Sequence, residues 1–242
     1  MKNLKYKRCL LKLSGAAFSG KNIFFNFVFA ERIIKQVKIL KKENREIIIV
    51  LGAGNICRAR TYVKELSPQS QIPLDYSGML GTVINGLFLK ECFLKQGIKV
   101  ALLSSIGIDT QIAYSYNFDL ANNLLKELKI LILVGGIGTP NFSTDFTAVL
   151  KAKELNVDVL LLGKNGVDGI YSEDPALNPK ATWIEKISYH DVVSRKLNFV
   201  DLSAAAFNIN EKVDCLVFDI NKNNSILEVL KNKGKFSIVS NS

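Results

Sequence analysis

Lys12 is a charge inside an apolar run, Cys9-Leu10-Leu11-Lys12-Leu13, and Ser14-Gly15 follows it directly. An unpaired ammonium in a buried strand is expensive. The residue is therefore ion-paired, snorkelling at an edge, or standing at a strand tip that faces an anion. The glycine that follows favours the tip, because Ser14 and Gly15 then present backbone N–H groups to phosphate oxygens. Gly52-Ala53-Gly54-Asn55-Ile56-Cys57-Arg58 repeats the theme after an Ile-rich run. A strand-to-helix junction of this kind binds anions through N–H groups and the helix dipole. Arg58, one turn in, either reaches a phosphate bidentately or is an exposed helix arginine. The segment is not a dinucleotide fingerprint, since Cys57 takes the sixth position where glycine is required. Nor is there a Walker A motif: Lys164, in Gly163-Lys164-Asn165, lacks the following Ser or Thr.

Three further segments carry polar groups in patterned company. Gly135-Gly-Ile-Gly138-Thr139-Pro140-Asn141-Phe142-Ser143-Thr144-Asp145 turns on glycines and a proline and then starts a helix. Ser143, Thr144 or Asp145 serves as its cap, and the Ser, Thr and Asn cluster suits a phosphate and a polar base. Asp75 opens a long helix through Gly78, Gly81 and Gly86, as a cap or as a partner for ribose hydroxyls. In Val167-Asp168-Gly169-Ile170-Tyr171-Ser172-Glu173-Asp174-Pro175, the Asp-Gly and Asp-Pro pairs signal turns. Tyr171 there is able to stack on adenine and Asp174 to accept from ribose; the alternative is a plain surface turn.

The elements that must position these residues alternate. Short β-branched or Leu-rich runs predict strands near 7–13, 46–51, 98–103, 130–134, 157–162, 214–219 and 236–239. Helical patterns lie between them near 28–43, 56–66, 75–96, 117–127, 144–155 and 202–211. Such alternation predicts an α/β three-layer sandwich with a central, mostly parallel sheet. Ile47-Ile-Ile-Val-Leu51 and Ile130-Leu-Ile-Leu-Val134 are continuous apolar runs, as strands buried on both faces require. The loops at 14–15, 52–55, 104–105 and 135–138 all leave carboxyl ends of strands, where open α/β sheets bind ligands.

Composition narrows the function class. Apolar residues make up 48% of the 242 residues and charged ones 22%, which excludes a disordered chain. No apolar run reaches the roughly 18–20 residues of a membrane-spanning helix. The basic N-terminus is no signal peptide, because Lys12 interrupts its short apolar run. Four cysteines without a Cys-x-x-Cys pair argue against a zinc site or a disulfide scaffold and predict a reducing cytoplasm. His190 is the single histidine, no Gly-x-Ser-x-Gly elbow accompanies it, and it reads as structural or surface. The net charge of +10 suits a polyanionic partner. No basic run is interleaved with stacking aromatics, so nucleic acid is not expected.

In order along the chain, Lys12-Leu-Ser-Gly15, Gly52-Ala-Gly54-Asn55 with Arg58, Asp75-Tyr-Ser-Gly-Met-Leu-Gly-Thr-Val-Ile-Asn-Gly86 and Lys164-Asn-Gly-Val-Asp-Gly-Ile-Tyr171-Ser-Glu-Asp-Pro175 resemble the bacterial uridylate kinases of the amino-acid-kinase family. The resemblance covers nearly the whole chain. It implies transfer of the ATP γ-phosphate to UMP, giving UDP and ADP in pyrimidine nucleotide biosynthesis. It implies that Lys12, Leu13, Ser14 and Gly15, with Gly54 and Arg58, hold the ATP phosphates, and that Asn165, Tyr171 and Asp174 hold adenosine. UMP would lie across Ala53, Asp75 and the loop of Ile137, Gly138, Thr139, Pro140, Asn141, Phe142, Ser143 and Thr144. Lys12, Asp145 and Arg58 would be catalytic, with Asp201 near the acceptor. Mg²⁺ would arrive on ATP without a dedicated carboxylate cage. One domain over 1–242 is implied, the acceptor part roughly 1–155 and the ATP part roughly 156–242 with contributions from 12–15 and 52–58. A homo-oligomer is implied too, since members of this family form hexamers from dimers.

Three departures accompany the resemblance. Ala53 replaces a usual glycine, and its methyl is expected to crowd the acceptor phosphate. The usual Gly-Asn-Pro-(Phe/Tyr)-Phe reads Gly138-Thr-Pro-Asn-Phe142, and Gly15-Ala-Ala17 replaces Gly-Glu-Ala. Two alternatives stand beside this reading: a kinase of the same fold for another small acid or phosphate, or a nucleotide-sensing or nucleic-acid-binding regulator that has lost catalysis.

Overall fold

The computed structural model describes residues 5–20, 24–57, 62, 66–197, 199–211 and 213–241. A nine-stranded sheet runs through its centre. The strands are β1 (Arg8–Leu13), β2 (Glu46–Leu51), β3 (Ala101–Ser104), β4 (Tyr114–Ser115), β5 (Ile130–Val134), β6 (Val159–Lys164), β9 (Lys186–Ile187), β10 (Cys215–Asp219) and β11 (Ser237–Val239). Their order is β4-β3-β5-β2-β1-β6-β10-β11-β9. All neighbours pair parallel except β10 with β11. A separate antiparallel pair, β7 (Ile170–Tyr171) and β8 (Trp183–Ile184), stands outside this sheet.

Helices cover both faces, so the three-layer α/β expectation holds. One layer holds α1 (Phe27–Lys42), α2 (Gln71–Lys95) and α7 (Ser225–Leu230). The other holds α3 (Phe118–Leu128), α4 (Thr144–Glu154), α5 (Tyr189–Ser194) and α6 (Leu202–Glu211). Side chains alternate along a strand, and β1 shows the result. Cys9, Leu11 and Leu13 enter the core under α1 and α2, whereas Leu10 enters the core under α4 and α6. The central strand β2 is buried at every position, as a parallel strand covered on both faces must be.

Two expectations change. The long helix begins at Gln71, not at Asp75, and carries Pro73 in its first turn. Proline is tolerated there because a first-turn N–H has no intrahelical partner. The helix read near 56–66 falls largely on residues outside those described. The six-residue helices α5 and α7 and the two-residue strands β4, β7, β8 and β9 were not foreseen. Each is shorter than the window over which a hydrophobic period becomes legible. His190 lies exposed at the start of α5.

Candidate active site

Lys12 and Lys164 meet the same layer of the fold because each continues an alternating strand. Leu10 in β1 and Leu162 in β6 both face α4 and α6; the lysines two residues on share that face at the carboxyl edge of the sheet. Asp145 stands opposite them in the first turn of α4. Ser143 is the N-cap of that helix, its hydroxyl accepting from the Phe146 N–H at 3.1 Å. Asp145 is thereby relieved of capping and pairs with Lys12, Nζ to Oδ1 at 2.7 Å, the two side chains only 12% and 15% exposed.

The electrostatics tie all three groups together. Burial alone would raise the Asp145 carboxyl, but the Lys12 and Lys164 ammonium groups outweigh it and hold the group below its ordinary 3.8. Burial pushes the Lys164 ammonium below its ordinary value; Asp145 resists this and Lys12 adds to it. Lys164 Nζ donates to the Phe199 carbonyl, which tethers the side chain. Asp201 is a near neighbour. Its backbone N–H makes a long bond to Asp145 Oδ2 at 3.4 Å. Its own Oδ1 accepts from Ser203 N and Oγ at 2.9 and 2.7 Å, at the start of α6. Asp201 thus caps the start of α6 beside Asp145.

The glycine loops close round this centre. Ser14 is extended and leads into a 3-10 turn, Gly15–Phe18. A Cβ on Gly15 would lie 2.4 Å from the Gly54 nitrogen, so only glycine lets the first loop touch the second. Asn85, fully buried on α2, holds the second loop: its Nδ2 donates to the Gly52 carbonyl at 2.8 Å, and it exchanges two 2.9 Å bonds with Asn55. Thr82, one turn earlier, holds the third loop by accepting from the Gly135 N–H at 2.7 Å. Gly135, Gly136, Gly138 and Asn141 have φ of 78°, 58°, 87° and 70°, a left-handed run that glycine and asparagine tolerate best. Asp75 lies in the second turn of α2 and is no cap. Its Oδ2 accepts from the Asn141 N–H at 2.8 Å and its Oδ1 from Gln71 Nε2 at 2.6 Å.

Three cavities follow the carboxyl edge. The middle one, about 100 Å³, is lined by Lys12, Ser14, Lys164 and Asn165 among others. On one side a cavity of about 560 Å³ has Lys164, Tyr171, Asp174, Arg195 and Phe199 in its walls. On the other a pocket of about 160 Å³ is bordered by Ala53, Asp75, Thr139, Pro140, Phe142 and Thr144. Ile137, Gly138, Asn141 and Ser143 shape that loop without lining the pocket. Leu13 contributes only backbone, its carbonyl accepting from the Gly52 N–H at 2.9 Å while its side chain is buried in the core. Tyr171 is fixed by donating to Asp168 at 2.6 Å and accepting from Lys235 at 2.9 Å. Asp174 accepts from the Ala176 N–H at 2.9 Å, and the Asn165 side chain from Asn221 at 2.7 Å. Arg58 lies outside the described residues.

Lys164, Asn85 and Thr82 are what the sequence reading left unassigned as site residues. The signal for Lys164 was present, since it is a charge at the end of an apolar strand, as Lys12 is a charge near the end of one. Among the described residues, no group of three or more His, Cys, Asp or Glu is arranged to hold a metal. None of their helices is long and apolar enough to cross a membrane.

A sequence model of the amino acid kinase family matches residues 7–219. The chain belongs to the amino acid kinase family. Within that family it is 39% identical over 230 residues to the uridylate kinase of Mycoplasmopsis pulmonis, covering 94% of each chain. It is 38% identical over 236 residues to that of Mesoplasma florum, covering 97% of this chain and 98% of the relative. Solved structures agree. The UMP kinase of Ureaplasma parvum superimposes with a TM-score of 0.90 at 31% identity, over 97% of this chain and 99% of that one. The UMP kinase of Bacillus anthracis gives 0.91 at 29%, over 98% and 97%.

Proposed function

We propose that this member of the amino acid kinase family transfers the γ-phosphoryl group of ATP to UMP, in pyrimidine nucleotide biosynthesis in the cytoplasm. The observation that carries the reading is the line of three cavities with the Lys12–Asp145 pair at its middle, in a chain whose relatives are named uridylate kinases. ATP lies with adenosine in the cavity of about 560 Å³ against Tyr171 and Asp174, with Asn165 at the adjoining middle cavity, and with its phosphates over Lys12, Ser14, Gly15, Gly54 and, by the resemblance, Arg58. UMP lies in the pocket of about 160 Å³ beside Asp75 and the 137–144 loop. The acceptor part thus falls roughly in 1–155 and the donor part roughly in 156–242, with 12–15 and 52–58 contributing to the donor side.

Phosphoryl transfer needs positioning and neutralisation of charge more than covalent help. A UMP phosphate oxygen is already anionic at neutral pH and attacks the γ-phosphorus in line, as the bond to the ADP oxygen breaks. No general base is needed. Lys12 and Lys164 set positive charge where the equatorial oxygens develop negative charge. Asp145 fixes Lys12 and keeps two like charges stable side by side. The donor set fits Mg²⁺ carried by ATP, because the carboxylates of Asp145 and Asp201 are few and phosphate oxygens complete such a shell. Bound there, the ion would neutralise phosphate charge.

A homo-oligomer, hexameric by resemblance, is part of the proposal. Its support is a row on α2, Ile72, Tyr76, Leu80 and Ile84, each 44–54% exposed, and the neighbouring Phe24, Phe27 and Val28, each at least 60% exposed. Phe25 and Phe27 pack on Phe88 of α2, with centroids 4.4 and 5.0 Å away, so the apolar surface is continuous.

The test is ADP release coupled to a reporter, with UMP, CMP, acetylglutamate, aspartate and isopentenyl phosphate as acceptors. Turnover dependent on UMP is the expected result. Turnover with another acceptor alone, or DNA binding without any ADP release, would replace the reading. Light scattering of the eluting protein gives the number of subunits.

A further inference from the structure

Gly81 occupies the interior of α2, where glycine is the least favourable residue after proline. Gly78, nearly one turn earlier, has nothing within 4 Å of where its Cβ would stand. At Gly81 the position is filled: a Cβ would lie 2.9 Å from the Ala53 methyl, with Ile56 carbons at 3.4 and 3.5 Å. Real Cβ atoms do not approach a neighbour under 3.0 Å, so one methyl excludes the other.

Ala53 has no room to retreat. Its carbonyl carbon lies 2.8 Å from the Cβ position of Gly15. The preceding residue, Gly52, is bonded through its N–H to Leu13 at 2.9 Å and through its carbonyl to Asn85 at 2.8 Å. The loop is gripped between the first strand's glycine turn and α2. Ala53 itself is 8% exposed, which fits a methyl turned onto the helix and not into the acceptor pocket it borders.

We infer that Gly81 is a positioning residue of the acceptor site: its missing side chain is the socket for the Ala53 methyl, and that fit sets where the 52–55 loop stands against the bound acceptor. The methyl that the sequence led us to expect over the acceptor phosphate is absorbed by α2. The acceptor's identity rests on the UMP reading above; the socket does not.

The experiment is a double-mutant cycle of Ala53→Gly and Gly81→Ala, read by thermal midpoint without nucleotide and by KM and kcat for UMP. In the wild-type background Gly81→Ala should lower the midpoint by roughly 2–12 °C, the range for overpacking in a chain of this size. It should raise KM for UMP at least about tenfold and lower kcat as well, because a displaced loop misplaces the bound acceptor. In the Ala53→Gly background the same change should cost less than about 2 °C, because the methyl merely moves from loop to helix. KM should return towards the wild-type value. Gly78→Ala should hold or raise the midpoint. Equal midpoint losses in both backgrounds would overturn the socket, and a non-additive midpoint with unchanged KM would overturn the positioning role. Absence of UMP-dependent turnover in the wild type would remove the acceptor assignment, while the thermal cycle would still decide the socket.

Discussion

Replacing Asp145 by asparagine removes the one carboxylate that faces both Lys12 and Lys164, and keeps the shape of the side chain. The Lys12–Asp145 pair is 2.7 Å long with side chains 12% and 15% exposed. Breaking a fully buried pair costs about 3–5 kcal/mol and an exposed one at most about 1 kcal/mol; this exposure places the loss near 2 kcal/mol. In a chain of this length that corresponds to a fall of about 4–8 °C in the unfolding midpoint. The carboxyl is held below 3.8 in the folded protein. Its contribution is therefore complete above 3.8 and lost as pH falls through the folded value, so wild type and variant converge only in acid. Turnover should fall about 10²–10³-fold, the cost of losing one preorganised charge at a transferring group. KM for ATP should stay level or fall, because two lysines without a counter-charge still attract phosphates. Tripolyphosphate should raise the midpoint of the variant more than that of the wild type. The assays are steady-state ADP release and thermal melts with and without the polyanion. A rise in KM for ATP with kcat intact, or an identical response of both proteins to tripolyphosphate, would refute the reasoning.

Further variants probe the same frame. Lys164→Met should lower kcat by about 10²–10³-fold. The folded pKa of Lys164 is lowered from 10.5, so between the folded value and 10.5 the unfolded chain holds more protons and stability rises with pH. The variant should then be the more stable protein near neutrality, with the gap closing towards pH 10.5 in denaturant titrations; a constant gap would contradict the burial argument. Gly15→Ala places a carbon 2.4 Å from the Gly54 nitrogen. It should destabilise the chain by about 1–3 kcal/mol and raise KM for ATP, measured by urea unfolding and initial rates. Asn85→Ala strands the Gly52 carbonyl and Asn55. A loss of about 2–3 kcal/mol is expected, with KM rising for both substrates; an effect on stability alone would detach Asn85 from the site.

The layered fold was legible because its signal is long and repetitive. Ile47–Leu51 and Ile130–Val134 are apolar at every residue, and the structure buries every one of them. Boundaries were less so. Asp75 looked like a helix start because it is an acid ahead of a helical pattern, yet Pro73 is accommodated in the first turn and Gln71 begins the helix. The six-residue helices α5 and α7 left no period to read. At the site, glycine loops and Lys12 announced themselves by being out of place among apolar neighbours. Asn85 and Thr82 did not, because their helix carries apolar residues on its exposed side too, Ile72, Tyr76, Leu80 and Ile84, so no period in the sequence marks which side faces the loops.

Those two residues explain how a wide site is kept in register. The loops at 52–55 and 135–138 leave different strands, β2 and β5, and glycine gives each a wide choice of conformations. Fixing them independently would leave donor and acceptor free to drift relative to one another, and a drift of about 1 Å is enough to cost a hundredfold in rate. Here α2 fixes both from one rigid element. Asn85 grips the first loop through Gly52 and Asn55, Thr82 grips the second through Gly135, and Asp75 grips its far end through Asn141. Asp75, Thr82 and Asn85 are spaced seven and three residues apart, which places them along one side of a helix with 3.6 residues per turn. The same helix that carries the exposed row Ile72, Tyr76, Leu80 and Ile84 on its outer side thus sets the distance between the two loops on its inner side.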